Sequence, residues 1–293
     1  MTVPMKLRAR VGAPIERVRH ALTDAEAMRT WLAEYAEVDL PRTYSFWGRY
    51  TPEGDEPHQR PLHFDSDGLR FAWLLGGEET TVQFGLEAES ASSTVVSLTQ
   101  SHVPVWSDAV ADPGVRSVLA TFWALAVSNL VDFLAGRELT PKCDFTSHRL
   151  SAELLISAPP ARVFSSLIDP DQFRQWFGVN LDIEPHVGGR LAMRGFDADP
   201  TAAARIVELV PDRRLSVDWG SLVETWELQE SEGRTRLTFV QSGFDEDRPP
   251  YAGWTGSLGG IGELRRFHEL PGWRPTWLQF GLPGTPDGML ASA

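Results

Sequence analysis

Cysteine is nearly absent from this chain of 293 residues. Its single cysteine, Cys143, excludes an intrachain disulfide and a metal site built from several cysteines. The histidines do not compensate, because His58 and His63 lie five residues apart in a proline-rich segment, a spacing that matches no usual zinc pair. We therefore expect no bound metal, no cofactor, and a reducing, cytoplasmic setting.

Positive charge and long apolar runs are also scarce. Lys and Arg number 27 against 40 Asp and Glu, which gives a formal net charge of -13. Because an acidic surface repels phosphate backbones and anionic lipids, we expect binding to neither nucleic acid nor membrane surfaces. The longest apolar stretch, residues 118–134, is too short and too polar in its second half to predict a membrane span. Residues 1–14 lack the apolar segment of a secretory signal.

An internal repeat is the most informative feature of the sequence. At a constant offset of 145 residues, the segments 11–31 and 156–176 share seven identities, among them an Ala-Pro pair and a tryptophan. A repeat of this length has the size of a whole domain. It predicts one domain in two tandem copies, at residues 1–145 and 146–270. Residues 271–293 then form an aromatic tail that we expect to pack on the body.

Both copies show the same order of local patterns. An alternating segment predicts a strand, Ala-Pro ends it, and two short helical stripes follow, separated at Asp24 and at Asp169, which we expect to act as caps. Short runs between Gly, Pro and Asp then predict an antiparallel meander, and a long apolar helix closes each copy. Four interior glycines in the second of these helices predict close packing there. The fold class is therefore α+β.

This order resembles the START-like, or SRPBCC, superfamily, and the second copy is similar to the branch related to the activator of Hsp90 ATPase. The motifs that carry the resemblance include Ile156–Val163, Asp169–Pro170, Trp176–Phe177, Gly188–Arg190, Gln241–Gly243 and Gly253–Trp254. The resemblance implies two helix-grip domains, in which an antiparallel sheet wraps around a long C-terminal helix and leaves a cavity. It also implies an apolar or aromatic ligand, and it supplies no shared catalytic triad.

Aromatic residues are abundant for a chain of this length, with eleven tryptophans. Large aromatic side chains pack cores and also line apolar pockets. We expect the ligand cavities to be lined by Trp31, Trp47, Trp73, Trp123, Trp176, Phe177, Met193, Trp219, Trp226 and Trp254. The first copy departs further from the family pattern, so it is the better candidate for a degenerate copy with a filled cavity; the alternative is that its own segment Trp47–Gly54 forms a new site.

Three functions are open on this evidence. The leading interpretation is a protein that binds a hydrophobic or aromatic small molecule without strong catalysis. The second is a cyclase/aromatase- or hydrolase-like enzyme that uses a cavity acid or base, for which the candidates are His102, Asp24, Asp169 and Glu224. The third, by family analogy alone, is a co-chaperone-like module with a protein partner. The sequence names neither the ligand nor a reaction.

Overall fold

The chain folds into two successive units, each an antiparallel sheet followed by a long helix. The computed structural model describes residues 4–105, 114–197, 203–272 and, for the backbone alone, 277–281. Both units have buried hydrophobic cores of their own. The predicted α+β fold of two helix-grip units is confirmed.

The first unit has a five-stranded sheet and a separate hairpin. Its elements are β1 (Met5–Val11), α1 (Ile15–Thr23), α2 (Ala25–Trp31), β2 (Tyr35–Asp39), β3 (Thr43–Trp47), β4 (Gln59–Phe64), β5 (Gly68–Leu75), β6 (Glu78–Ser90), β7 (Ser93–Gln100) and α3 (Leu119–Leu134), with a 3₁₀ turn before α3 (Val115–Val118). The main sheet has the order β1-β7-β6-β5-β4, whereas β2 and β3 pair only with each other. Helix α3 packs on this sheet through its apolar residues.

The second unit has one continuous sheet of seven strands. Its elements are β8 (Leu150–Ile156), α4 (Pro160–Ile168), α5 (Pro170–Phe177), β9 (Leu181–Ile183), β10 (Arg190–Met193), β11 (Ala204–Val210), β12 (Arg214–Asp218), β13 (Val223–Ser231), β14 (Arg234–Ser242) and α6 (Tyr251–Glu269). The strand order is β8-β14-β13-β12-β11-β10-β9, and all neighbours are antiparallel. The two units therefore have the same overall topology and differ in how their short strands pair. In the first unit β2 and β3 form a separate hairpin, whereas in the second β9 and β10 belong to the main sheet.

The end of the chain returns to the first unit. Strand β15 (Trp277–Gly281) pairs antiparallel with β1 and becomes the outer strand of the first sheet. Most of the expected aromatic tail, including Trp273, lies outside the described residues. The described part adds backbone hydrogen bonds to an edge that would otherwise leave its N–H and C=O groups unpaired.

The repeat is visible in equivalent hydrogen bonds. The indole N–H of Trp31 donates to the carbonyl of Ala21 at 2.9 Å, and that of Trp176 donates to the carbonyl of Ser166 at 2.8 Å. Each tryptophan thus lies at the end of its second short helix and ties it to the first. Because a buried N–H without an acceptor costs free energy, this bond explains why both copies have Trp at the same position.

The two short helices of each copy are separated by an aspartate cap. Asp24 accepts a hydrogen bond from the backbone N–H of Ala27 at 2.8 Å, and Asp169 accepts one from Gln172 at 2.9 Å. Each carboxylate satisfies an N–H that the first helical turn leaves without a partner. The capping role predicted for both aspartates is confirmed.

Helices α3 and α6 pack against each other across the interface between the units. A buried group of charges lies there, in which Asp132 on α3 pairs with Arg265 and Arg266 on α6. The Oδ2 of Asp132 is 3.4 Å from the Nη2 of Arg265. Glu263 pairs with Arg266 at 2.9 Å, and all four residues are at most 3% exposed. These two negative and two positive side chains balance, and the partly exposed Arg137 also pairs with Asp132 at 2.7 Å. Pairing of this kind is the condition under which buried charges are tolerated.

Two of the glycines in α6 allow neighbouring groups to come close. A Cβ at Gly260 would lie 2.7 Å from the ring of Phe177, and one at Gly262 would lie 2.4 Å from the Oγ1 of Thr140. Neither position has room for a methyl group. The close packing that the interior glycines predict is confirmed at these two positions.

One helix in the described part of the chain is long and apolar enough to cross a membrane by length and composition. This run, Val115–Leu134, has a mean hydropathy of 1.6, and 78% of its most apolar window is buried inside the protein. It lies between the first sheet and α6. Its apolar character is therefore accounted for by its position as a core helix.

Candidate functional site

The second unit contains an apolar cavity between its sheet and its helices. The cavity has a volume of about 50 Å³ and opens partly to solvent. It is lined by Leu167, Phe173, Trp176, Phe177, Leu191, Met193, Leu215, Val217, Trp219, Glu224, Trp226 and Ser257. Among the described residues of this lining, Glu224 is the only one with an ionisable side chain.

Helical and strand periodicity brings these side chains together. Phe173, Trp176 and Phe177 are spaced three and four residues apart on α5, so they share one helix face. On the sheet, alternate residues such as Leu215 and Val217 of β12 point to the same side. The ring centroids of Trp176 and Trp226 are 6.4 Å apart, which brings α5 and β13 together at the wall of the cavity.

Glu224 holds the polar end of the cavity. Its carboxylate accepts hydrogen bonds from the indole N–H of Trp219 at 3.0 Å, the amide of Gln241 at 2.7 Å and the hydroxyl of Ser257 at 3.5 Å. Burial raises the pKa of Glu224, and the three donors oppose that shift only in part. The three hydrogen bonds therefore do not fully offset the free-energy cost of burying the charged carboxylate.

Gln241 has an unused acceptor next to this carboxylate. Its side chain is 4% exposed, and its amide nitrogen also lies 3.3 Å from the Oγ of Ser257. Its carbonyl oxygen Oε1 is buried and has no hydrogen-bond partner among the described residues. A buried acceptor without a partner costs about 1–3 kcal/mol, and Gln241 itself is not among the residues that line the cavity.

The first unit has valine where the second has Glu224. Strand pairing establishes the equivalence, because Val82 lies opposite Gln100 as Glu224 lies opposite Gln241. On the other neighbouring strand, Val82 lies opposite Phe71 and Glu224 lies opposite Val217. Trp73 and Trp219 each follow that facing residue by two positions. The indole N–H of Trp73 has no partner among the described residues, whereas that of Trp219 donates to Glu224. The first unit retains the tryptophan but not its acceptor.

Aromatic rings fill the interior of the first unit at the equivalent place. Trp73 lies 5.2 Å from Phe46 and 5.8 Å from Trp123 between ring centroids, and Phe84 lies 5.5 Å from Trp123. The N–H of Trp123 donates to the Oε1 of Gln100 at 2.6 Å, so the acceptor that is free in the second unit is used here. These rings are buried in a packed core.

The predicted ligand-binding residues thus separate by unit. Those that line the cavity are Trp176, Phe177, Met193, Trp219 and Trp226. Trp31, Trp73 and Trp123 are fully buried in the core of the first unit, and Trp47 stacks on Tyr35 in the β2–β3 hairpin. Trp254 is not among the cavity-lining residues and stacks on Phe239, with ring planes 6° from parallel and centroids 5.5 Å apart. A ligand-binding role for these ten residues stays a prediction.

The four candidate acids and bases lie in different surroundings. Asp24 and Asp169 are helix caps, and His102 is an exposed residue whose ring lies 3.0 Å from the Oγ of Ser101. Of the four candidates, Glu224 alone lines the cavity.

Sequence reasoning missed Phe173, Ser257 and the unused acceptor of Gln241. Phe173 carries a usable signal, since it shares a helical face with Trp176. The contact between Gln241 and Glu224 depends on the register between β13 and β14, which residue patterns alone do not define.

The second unit matches a known family. Residues 157–264 match the family model described as Activator of Hsp90 ATPase homolog 1-like protein. The match runs from the end of β8 into α6 and covers a little over one third of the chain. The second unit is therefore an AHSA1-like domain. No curated protein matches the chain.

Several solved structures are similar to part of the chain. A conserved protein of unknown function from Enterococcus faecalis is 22% identical, with 43% of this chain and 74% of that one covered and a TM-score of 0.38. CalU16 from Micromonospora echinospora is 23% identical, with 39% and 73% covered and a TM-score of 0.33. The Aha1 dimer from Colwellia psychrerythraea is 16% identical, with 42% and 96% covered and a TM-score of 0.35.

Proposed function

We propose that the second unit binds a small, mostly apolar molecule in its cavity and that the first unit is a packed companion domain. The observation that carries this proposal is the contrast between equivalent positions. Glu224 and Val217 line a cavity in the second unit, whereas their counterparts Val82 and Phe71 are fully buried in the core of the first. One apolar cavity with few polar groups is typical of a small-molecule site.

The size of the cavity limits the ligand. A cavity of about 50 Å³ is smaller than the roughly 150 Å³ that accommodates benzene in an apolar protein interior. A ring-sized ligand therefore requires a side chain to move. Met193, which is partly exposed at the wall, is suited to this because its unbranched side chain adapts to different shapes.

Benzyl alcohol provides a direct test of binding. We expect it to shift the indole N–H signals of Trp176, Trp219 and Trp226 in an NMR titration. Val217→Phe places in the cavity the side chain that the first unit has at the equivalent position, and it should weaken binding tenfold or more. Val207→Phe, on an exposed part of β11, is the matched control and should leave affinity within twofold. Absence of shifts in the wild type, or unchanged binding in Val217→Phe, would overturn the proposal.

A second candidate function is proton transfer to a bound molecule. The raised pKa of Glu224 inside an apolar cavity favours it, because acids and bases in active sites are often tuned in this way. An aryl ketone in D₂O should then exchange its α-protons faster with the wild type than with Glu224→Gln, as followed by NMR. Equal exchange rates would remove this candidate. The co-chaperone-like module stays a prediction from the family resemblance.

A further inference from the structure

The polar end of the cavity is built around one carboxylate, to which three neighbouring side chains donate. The N–H of Trp219 and the hydroxyl of Ser257 both donate to Glu224, and the amide of Gln241 donates to Glu224 while it also contacts Ser257. A carboxylate has about four acceptor positions, and three are in use. The Oε1 of Gln241 is a further buried acceptor without a partner among the described residues. A ligand that satisfies this end must bring hydrogen-bond donors.

The remaining lining favours a positively charged donor. Aromatic side chains form much of the wall, with Phe173, Trp176, Phe177, Trp219 and Trp226 around the single carboxylate, and no Lys, Arg or His is among the lining residues. The faces of aromatic rings attract cations within about 6 Å, most strongly where water is excluded. A negative carboxylate in such surroundings gains more from an ammonium group than from a neutral hydroxyl.

The charge of the whole chain acts in the same direction. A net charge of -13 raises the local concentration of cations and lowers that of anions near the surface. The first unit supplies an internal comparison, because Val82 replaces the carboxylate there and Trp123 uses the equivalent glutamine acceptor. Among the described residues, the glutamine acceptor thus has no partner in the second unit and a tryptophan partner in the first.

We infer that the cavity of the second unit binds a primary or secondary amine in its ammonium form, with an N–H group on Glu224 and the apolar part of the molecule against the aromatic wall. This inference rests on the proposed small-molecule function and specifies its ligand class. It identifies Glu224 as the specificity-determining residue of the site.

Three probes that share a phenyl ring test the charge preference. Benzylamine, benzyl alcohol and benzoate are titrated into the full chain at pH 7.5, with the indole signals of Trp176 and Trp219 as the readout. We expect benzylamine to bind at least tenfold more tightly than benzyl alcohol and benzoate to cause no saturable shift. In Glu224→Gln, benzylamine should fall to the affinity of benzyl alcohol, while benzyl alcohol itself changes less than threefold. Glu232→Gln, in an exposed turn, is the control and should bind as the wild type does.

The outcomes separate the two levels of the proposal. If benzyl alcohol binds as tightly as benzylamine, or more tightly, the ammonium inference is wrong and the small-molecule function stands. If none of the three probes shifts the indole signals at 10 mM, both are wrong. The preference of the wild type between the probes decides the inference even if Glu224→Gln does not fold, and a thermal melt of that variant establishes whether it does.

Discussion

Glu224 in the second unit and Val82 in the first occupy the same position in their sheets. Each lies opposite a buried glutamine on one neighbouring strand and opposite an apolar residue on the other. This one difference changes the surroundings, because the tryptophan N–H that Glu224 accepts in the second unit is without a partner in the first. The two copies therefore compare a site that has a polar end with one that does not.

Glu224 should cost the protein stability at neutral and alkaline pH. Because burial raises the pKa of Glu224 in the folded state, the protonated carboxyl favours the folded protein. This contribution to the free energy of unfolding is complete below the unfolded-state pKa of about 4.3 and is lost as the pH rises through the folded-state pKa. We expect the unfolding free energy of Glu224→Gln to exceed that of the wild type at pH 8 and to equal it near pH 4. Urea denaturation at the two pH values measures this. A variant that is less stable at pH 8 would indicate a structural carboxylate.

Much of the fold follows from the sequence because its signals are local. Pro14 and Pro159 end their strands, Asp24 and Asp169 cap helices, and the shared tryptophan marks the end of the paired helices. Each of these depends on neighbouring residues, so the repeat predicts them in both copies. The order of elements in the second unit follows for the same reason.

The site could be predicted only in part because it depends on register and packing. Trp73 and Trp219 match in sequence, yet Trp73 is buried in a filled core and Trp219 lines a cavity. Close to them, Phe71 of β5 occupies the position that Val217 has on β12. The separate β2–β3 hairpin and the charges around Asp132 also depend on contacts between distant segments. Local residue patterns carry little information about such contacts.

Two tryptophans of the first unit should differ in their response to the same substitution. Trp31→Phe removes the N–H that donates to Ala21, while Trp73→Phe removes an N–H without a partner among the described residues. Both side chains are fully buried and lose the same volume. We expect Trp31→Phe to be the more destabilising by about 1–3 kcal/mol, since it leaves a buried carbonyl unsatisfied. Urea denaturation followed by circular dichroism measures this, and an equal or reversed order would contradict the hydrogen-bond account.

Asp132 should be important for the stability of both units together. Asp132→Asn removes a buried charge that faces Arg265 and Arg266 across the interface. Breaking a buried ion pair costs about 3–5 kcal/mol, because the partner charge stays buried. We expect one cooperative unfolding transition, displaced to lower urea.

An exposed ion pair provides the control for that substitution. Asp245→Asn acts on the pair between Asp245 and Arg248, whose side chains are 52% and 81% exposed, and it should cost less than about 1 kcal/mol. Similar effects of the two substitutions would show that the buried charges contribute nothing special to the interface.

His268 should make the protein less stable in mild acid. Burial, and to a lesser degree the charge of Arg162, lowers the pKa of His268 from 6.5 to about 4, and its Nε2 lies 3.1 Å from the Oγ of Ser166. Between these pH values the unfolded chain binds a proton that the folded chain does not, so the unfolding free energy falls as the pH drops from 6.5 to 4. The loss should be about 1–2 kcal/mol, less than the full shift implies because the ring is partly exposed.

His268→Asn should remove that part of the pH dependence. Thermal unfolding at pH 7 and pH 5 measures it, with His186→Asn in an exposed loop as the control. If His268→Asn loses as much stability as the wild type between these pH values, the lowered pKa is not the cause.

The central claim is that the second unit, and not the first, admits a ligand between sheet and helix. The most direct measurement is a crystal structure of the full chain soaked with benzylamine. The account predicts density for the phenyl ring against Trp176 and Trp226 with the nitrogen on Glu224, and unchanged packing around Trp73 and Trp123. Density inside the first unit, or a second-unit cavity that stays closed while benzylamine binds elsewhere, would contradict it.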